Sequence, residues 1–153
     1  MFKLEDVCNY FLSKSAMTRK KLQGLVYYAY AWTLALLNDN IGDIKFRLVN
    51  ERPEAWVHGA VFPELYNKYK EYGWDNIPAK SNFDENIFPA DVLDVLNQVW
   101  ETYGTFSADN LEYFCRHEWP WRIARVNLAP FEPCSTKLDD EYIFKYYIEQ
   151  TIK

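Results

Sequence analysis

Glycine is scarce in this chain, five among 153 residues, and the five never cluster. A P-loop or a dinucleotide fingerprint needs closely spaced glycines so that backbone amides can approach phosphate, and both are therefore excluded. Histidine is scarcer still, at two residues, and the three cysteines, Cys8, Cys115 and Cys134, lie far apart with no Cys-x-x-Cys pair. This odd, dispersed set forms neither a disulfide framework nor a zinc knuckle and reads as reduced thiols of a cytoplasmic protein. Positive charge is also in deficit: 17 Lys and Arg face 22 Asp and Glu, a net charge of −5. Such a balance repels phosphate backbones and anionic lipid and suits a basic partner surface. The most apolar run, Leu22 to Leu37, is rich in tyrosine and shorter than the roughly 20 residues of a membrane span, so no membrane is expected as a partner. The N-terminal stretch MFKLEDVCNYFLSKS sets acids and lysines inside its apolar pattern, unlike a signal peptide.

What the chain has in quantity is apolar and aromatic side chains, 49% and 18% of residues. Disorder requires the opposite composition, so the expectation is a folded globule, at this length one domain over residues 1–153. Leu4, Val7, Cys8, Phe11 and Leu12 keep the spacing of one helical face. Thr18 is a natural N-cap for RKKLQGLVYYAYAWTLALLN, which is apolar nearly all round and so reads as a central, buried helix. IKFRLV alternates Ile44, Phe46 and Leu48 against Lys45 and Arg47, a strand pattern, and NERP turns it toward EAWVH, which predicts a small hairpin. Pro63 and Pro89 open two further helices, and Gly73 and Gly104 close them. The residues between Gly73 and Pro89 read as loop. Ser107 caps a helix that runs into RHEWPW, where proline disfavours helix at Trp119 and a short turn or helix, WRIAR, follows. Thr136 with Asp139 forms a capping-box pattern ahead of a last helix through Ile143, Tyr146 and Tyr147. The predicted fold class is mainly α: a compact single helical domain with one small β-hairpin.

Catalytic and metal-binding constellations are thin. Cys115, His117 and Glu118 make the nearest candidate metal group, but residues two apart on a helix face different ways. A cysteine nucleophile would need His58 or His117 as base, and no catalytic signature surrounds any of the thiols. The expectation is no catalytic residues, no metal and no cofactor. The basic cluster Thr18, Arg19, Lys20 and Lys21 sits at a helix start, where the helix dipole disfavours cations, and Trp119 and Trp121 flank a proline among charges. One of those two rings is expected to pack inward, and Trp121 is the choice.

Three segments, in order, resemble the Panacea domain, the SocA-like or GepA-like phage-associated family of prokaryotes and their mobile elements. MTRKKLQGLVYYAYAW is similar to the family's M-T-x-x-K-L-Q opening, EAWVHGAVFPELY to its E-A-W-x-x-G-P-V-x-P-x-L-Y, and VWETYG with RHEWPW to its Y-G and T-H-x-E-x-P-W elements. The resemblance covers nearly the whole chain, with a motif core of about 17–147. Lys21, Gln23, Glu54, Trp56, Gly59, Pro63, Tyr66, Glu118, Pro120 and Trp121 match the pattern. Ala60 replaces a family proline, and the family's T-H pair falls on Cys115 and Arg116, leaving His117 at a variable position. His58 stands where the family is commonly aromatic, just before the glycine that lets the strand turn, so it reads as part of a joint rather than as chemistry.

The resemblance implies an antitoxin: a non-enzymatic protein that neutralises a co-encoded toxin by direct binding, with delivery of the toxin to a cellular protease as a further route. Partner contact is expected at Thr18, Arg19, Lys20, Arg116, Trp119, Trp121 and Arg122, where aromatic and charged groups meet. Trp56, Gly59, Pro63, Tyr66 and Pro120 are expected to be structural. Lys21, Gln23, Glu54 and Glu118, polar groups inside aromatic segments, are expected to share one polar network, since buried charges must be paired. The alternative is a regulatory protein of a phage or mobile element that binds nucleic acid, which the acidic balance disfavours.

Overall fold

The apolar face at Leu4, Val7, Cys8, Phe11 and Leu12 is buried along helix α1, Leu4–Lys14, in the computed structural model, which describes residues 1–151. A two-residue strand β1, Met17–Thr18, leads into helix α2, Arg19–Leu36, where the Thr18 hydroxyl accepts from the Lys21 amide at 3.2 Å as the N-cap. Strands β2, Glu54–Trp56, and β3, Gly59–Val61, follow, then α3, Pro63–Tyr69, with Pro63 in its first turn. Strand β4, Asn76–Ile77, pairs with β1. Helices α4, Ala90–Tyr103, α5, Ala108–Arg116, α6, Trp119–Ala124, and α7, Asp140–Thr151, complete the described chain. The fold is mainly helical, with two small antiparallel two-stranded sheets.

Helix α2 is the axle. Leu22, Leu25, Val26, Ala29, Tyr30 and Leu34 are fully shielded, and α7, α4 and α5 pack around it, with α1 and α3 completing the shell. A helix without a solvent face gains by placing the hydroxyls of its tyrosines on partners, because a buried unpaired polar group is costly. Two of the three in α2 do so, while the buried Tyr27 hydroxyl has no partner among the described residues. The hydroxyl of Tyr28 donates to Glu118 at 2.9 Å and that of Tyr30 to Asp140 at 2.6 Å. Trp32 Nε1 donates to the Tyr103 hydroxyl at 3.0 Å, and the Tyr28 and Tyr103 rings stack 4.1 Å apart.

The hairpin lies elsewhere than the alternation of residues 44–48 predicts. Its strands are β2 and β3, in register Glu54 with Val61, Ala55 with Ala60 and Trp56 with Gly59. The Ile44–Leu48 segment forms no strand because its backbone is claimed otherwise: Asn38 Oδ1 accepts from the Lys45 and Phe46 amides at 2.8 and 2.9 Å, and the Phe2 amide donates to Leu48 O at 2.8 Å. Thr136 is likewise not the cap of α7. Its carbonyl accepts from the Ala55 amide at 2.8 Å, which lays residues 136–138 along β2, and Asp139 Oδ1 caps α7 instead by accepting from Glu141 N at 2.8 Å. Helix α6 begins at Trp119 despite the following proline, since in the first helical turn an amide has no intrahelical acceptor to lose. The predicted loop from Gly73 to Pro89 contains β4 and one 3₁₀ turn, Glu85–Ile87.

Candidate functional site

The four polar residues expected to form one network make four separate attachments. Lys21 and Gln23 are two apart on α2 and so face different sides. Lys21 Nζ donates to Gly104 O at 2.6 Å, at the carbonyl end of α4 where the helix dipole favours a cation. Gln23 is buried and grips Phe62 twice, accepting from its amide at 2.9 Å and donating to its carbonyl at 3.0 Å, which pins the exit of β3 to α2. Glu54 accepts from Trp56 Nε1 at 2.9 Å within the hairpin. Glu118 accepts from Tyr28 and from Tyr147 and has no ion pair with a cation among the described residues. Burial pushes its carboxyl up from 4.5 to about 7, although both phenols pull the other way.

The hairpin is held from behind by α6. Trp121 turns inward, as expected, and its Nε1 donates to Trp56 O at 2.9 Å. Arg125 is buried and donates to Ala55 O at 2.8 Å and Glu132 O at 2.7 Å, joining β2 to the Pro-rich segment before α7. Pro120 is buried beneath them. In front, the Trp56 ring packs on Tyr66 of α3 with centroids 5.2 Å apart. His58 sits at the tip of the hairpin, solvent-facing, with Nδ1 3.8 Å from Glu112 Oε1, and Gly59 takes φ +124°, a conformation side chains resist. The sulfur of Cys115, from α5, accepts from the Ala60 amide at 3.4 Å, and burial raises its thiol pKa far above neutral. Among the described residues no group of three His, Cys, Asp or Glu side chains converges to hold a metal.

The expected contact residues divide between two faces. Trp119 packs against Tyr142 and Tyr146 of α7, while Arg122 is solvent-exposed beside it. Arg116 lies over the Trp121 ring, 5.7 Å from its centroid, and Thr18 is occupied with capping. Arg19 lies beside α3 and Lys20 beside α5. Burial lowers the Lys20 pKa, but bonds to Asp109 at 2.6 Å and Glu112 at 2.9 Å outweigh it and leave the ammonium raised. Arg19 stacks over the Tyr66 ring at 4.4 Å, with no ion pair to a carboxylate among the described residues.

Between these elements lies a cavity of about 210 Å³. Tyr27, Trp56, Tyr66 and Leu111 wall it with apolar surface, Arg19 and Glu112 lie among its polar lining, and Trp74, 80% exposed, stands beside it. A second, more open depression lies across the hairpin, bounded by Val57, Phe131 and Pro133, and the two share Trp56, His58 and Val61 in their walls. Phe131 is 83% exposed. Neither Trp74 nor Phe131 was singled out from the sequence. The available signal is a large aromatic inside an otherwise polar loop, after Gly73 and between Pro130 and Pro133.

A family model described as antitoxin SocA-like, Panacea domain, matches residues 22–122. That interval contains the hairpin, α3, α4, α5 and the Trp-Pro-Trp turn, together with most of α2. No curated protein and no solved structure matches the chain.

Proposed function

The chain belongs to the SocA-like Panacea domain family of antitoxins, and from that premise we propose that it neutralises a co-encoded toxin by binding it directly. The activity is non-enzymatic and needs no cofactor: the toxin is inactivated by having its working surface covered. Family membership carries the reading. Two features of the molecule support it. Four of the ten residues that match the family's motifs, Gln23, Trp56, Gly59 and Tyr66, meet at one apolar cavity with exposed aromatics at its margins, the kind of surface on which protein partners anchor. The net charge of −5 suits a partner whose own target is anionic. Delivery of the captured toxin to a cellular protease is a further route, and it begins with the same binding step. No helix among the described residues is long and apolar enough to cross a membrane, so nothing in them places the encounter at a bilayer.

The test is co-expression with each gene product encoded beside this one. A neighbour that arrests growth alone, is harmless together with this protein and co-purifies with it in fixed stoichiometry is the expected result. Absence of any toxic neighbour, or rescue without a complex, would sink the direct-binding reading.

A further inference from the structure

We propose that the cavity between the start of α2, the hairpin and α5 receives a large apolar side chain of the partner protein, with a carboxylate of the same partner segment meeting Arg19 at its mouth. The proposal rests on the antitoxin reading for the identity of the partner and on the local geometry for its chemistry.

The space comes first. About 210 Å³ lined by Tyr27, Trp56, Tyr66 and Leu111 exceeds the roughly 150 Å³ that suffices for a benzene-sized guest in an apolar protein cavity. One aromatic or long aliphatic side chain fills it. Charge decides what accompanies that side chain. Three cations open α2, at the end where the helix dipole is already positive. Two are compensated: Lys20 by Asp109 and Glu112, and Lys21 by the carbonyl end of α4. Arg19 alone has only an aromatic face, and it lines the cavity. A carboxylate arriving there would complete the pattern through a charge-assisted bond to a guanidinium already held in place by Tyr66.

The second depression favours a polypeptide over a small molecule. It adjoins the first through Trp56, His58 and Val61, and Phe131 and Trp74 project beside the two hollows. A small ligand would use one hollow and leave the other exposed. An extended segment can place one side chain in each, because alternate residues of a strand point the same way roughly 7 Å apart.

Two experiments test this on the intact protein. The first uses phenylacetate, a ring bearing one carboxylate, as probe, with amide chemical shifts as the readout. Saturable shifts are expected at Arg19, Gly59 and Ala60. Arg19→Gln should weaken binding about tenfold, and Ala108→Phe, which grows a ring into the cavity from the start of α5, should abolish it. The second measures the affinity of the neutralised neighbour for the same variants. Ala108→Phe and Arg19→Gln should each weaken the complex at least about tenfold, while Lys145→Gln on α7, which removes one positive charge as Arg19→Gln does, leaves it nearly unchanged. Amide spectra of each variant alone report whether it has folded, and Arg19→Gln stands in should Ala108→Phe fail. Absence of saturable shifts overturns the proposal. So does a full-strength complex with Arg19→Gln, even where phenylacetate binds, and in that case the antitoxin reading survives. A wild-type protein that binds phenylacetate but neutralises no neighbour overturns the antitoxin reading, and with it the partner as occupant.

Discussion

At the scale of single residues, the consequential positions are polar atoms without ordinary company. Thr33 is fully buried in α2, and its hydroxyl has no hydrogen-bond partner among the described residues. Thr33→Val keeps the shape and removes the desolvation cost, so the unfolding free energy should rise by about 1–2 kcal/mol in urea titration; a fall would mean the hydroxyl has a partner in solution. Glu118 is the larger case. Burial raises its carboxyl from 4.5 to about 7, with the Tyr147 and Tyr28 hydroxyls opposing. The folded value lies above the unfolded one, so the group's contribution to stability is whole below about pH 4.5 and is lost as pH rises through about 7. The loss over that window is at most about 3 kcal/mol. Glu118→Gln cannot ionise and should flatten the curve between pH 4.5 and 8, converging with wild type at the acid end; parallel curves would show that the carboxylate is solvated. The family pattern singles out Glu118, but its two phenols come from α2 and α7, and no local spacing announces that meeting.

At the scale of elements, individual helices were readable and their attachments were not. Thr18, Pro63 and Ser107 open helices where capping and proline rules put them, because those rules depend on only a few neighbouring residues. The alternation at Ile44–Leu48 misled because a strand needs a partner, and Asn38 satisfied that backbone first. Lys21 and Gln23 were grouped with Glu54 and Glu118 by polarity, although two residues apart on a helix already put the pair on different sides. Gln23 is the clearest attachment to test. Gln23→Ala leaves the Phe62 amide buried and unpaired, a cost of about 1–3 kcal/mol, while the Phe62 carbonyl keeps its bond from the Tyr66 amide at 3.0 Å. Thermal unfolding should show a large drop, and amide exchange should rise in the hairpin and α3 before it rises in α7. Gly104 makes a different point. Its backbone is ordinary helix, with φ −63°, so a left-handed cap does not explain it. Instead a Cβ there would stand 2.4 Å from Trp100 O and 2.6 Å from the Trp100 ring. Gly104→Ala must shift the end of α4 or the indole, and the chevron or melt should report about 1–3 kcal/mol of destabilisation.

At the scale of the whole molecule, two electrostatic ranges are superposed. The net charge of −5 acts at a distance, steering a basic partner toward the protein until salt screens it beyond about 8–10 Å. Arg19 acts at contact, at the mouth of a cavity whose apolar walls weaken screening. Composition revealed the first. The second was hidden because the cavity walls come from α2, the hairpin, α3, α5 and the loop after Gly73, and only the fold brings those elements together. The two ranges should separate in binding kinetics with the neutralised neighbour. Raising salt from about 0.05 to 0.5 M should slow association roughly tenfold and leave dissociation nearly constant, since long-range charge governs encounter. Arg19→Gln should do the reverse, speeding dissociation roughly tenfold while the salt dependence of association keeps its slope. Stopped-flow mixing of wild type and variant at four salt concentrations measures both. If Arg19→Gln instead changed only the association rate, Arg19 would be one more steering charge on the rim, and the apolar walls around it would be bound by something that carries no acid.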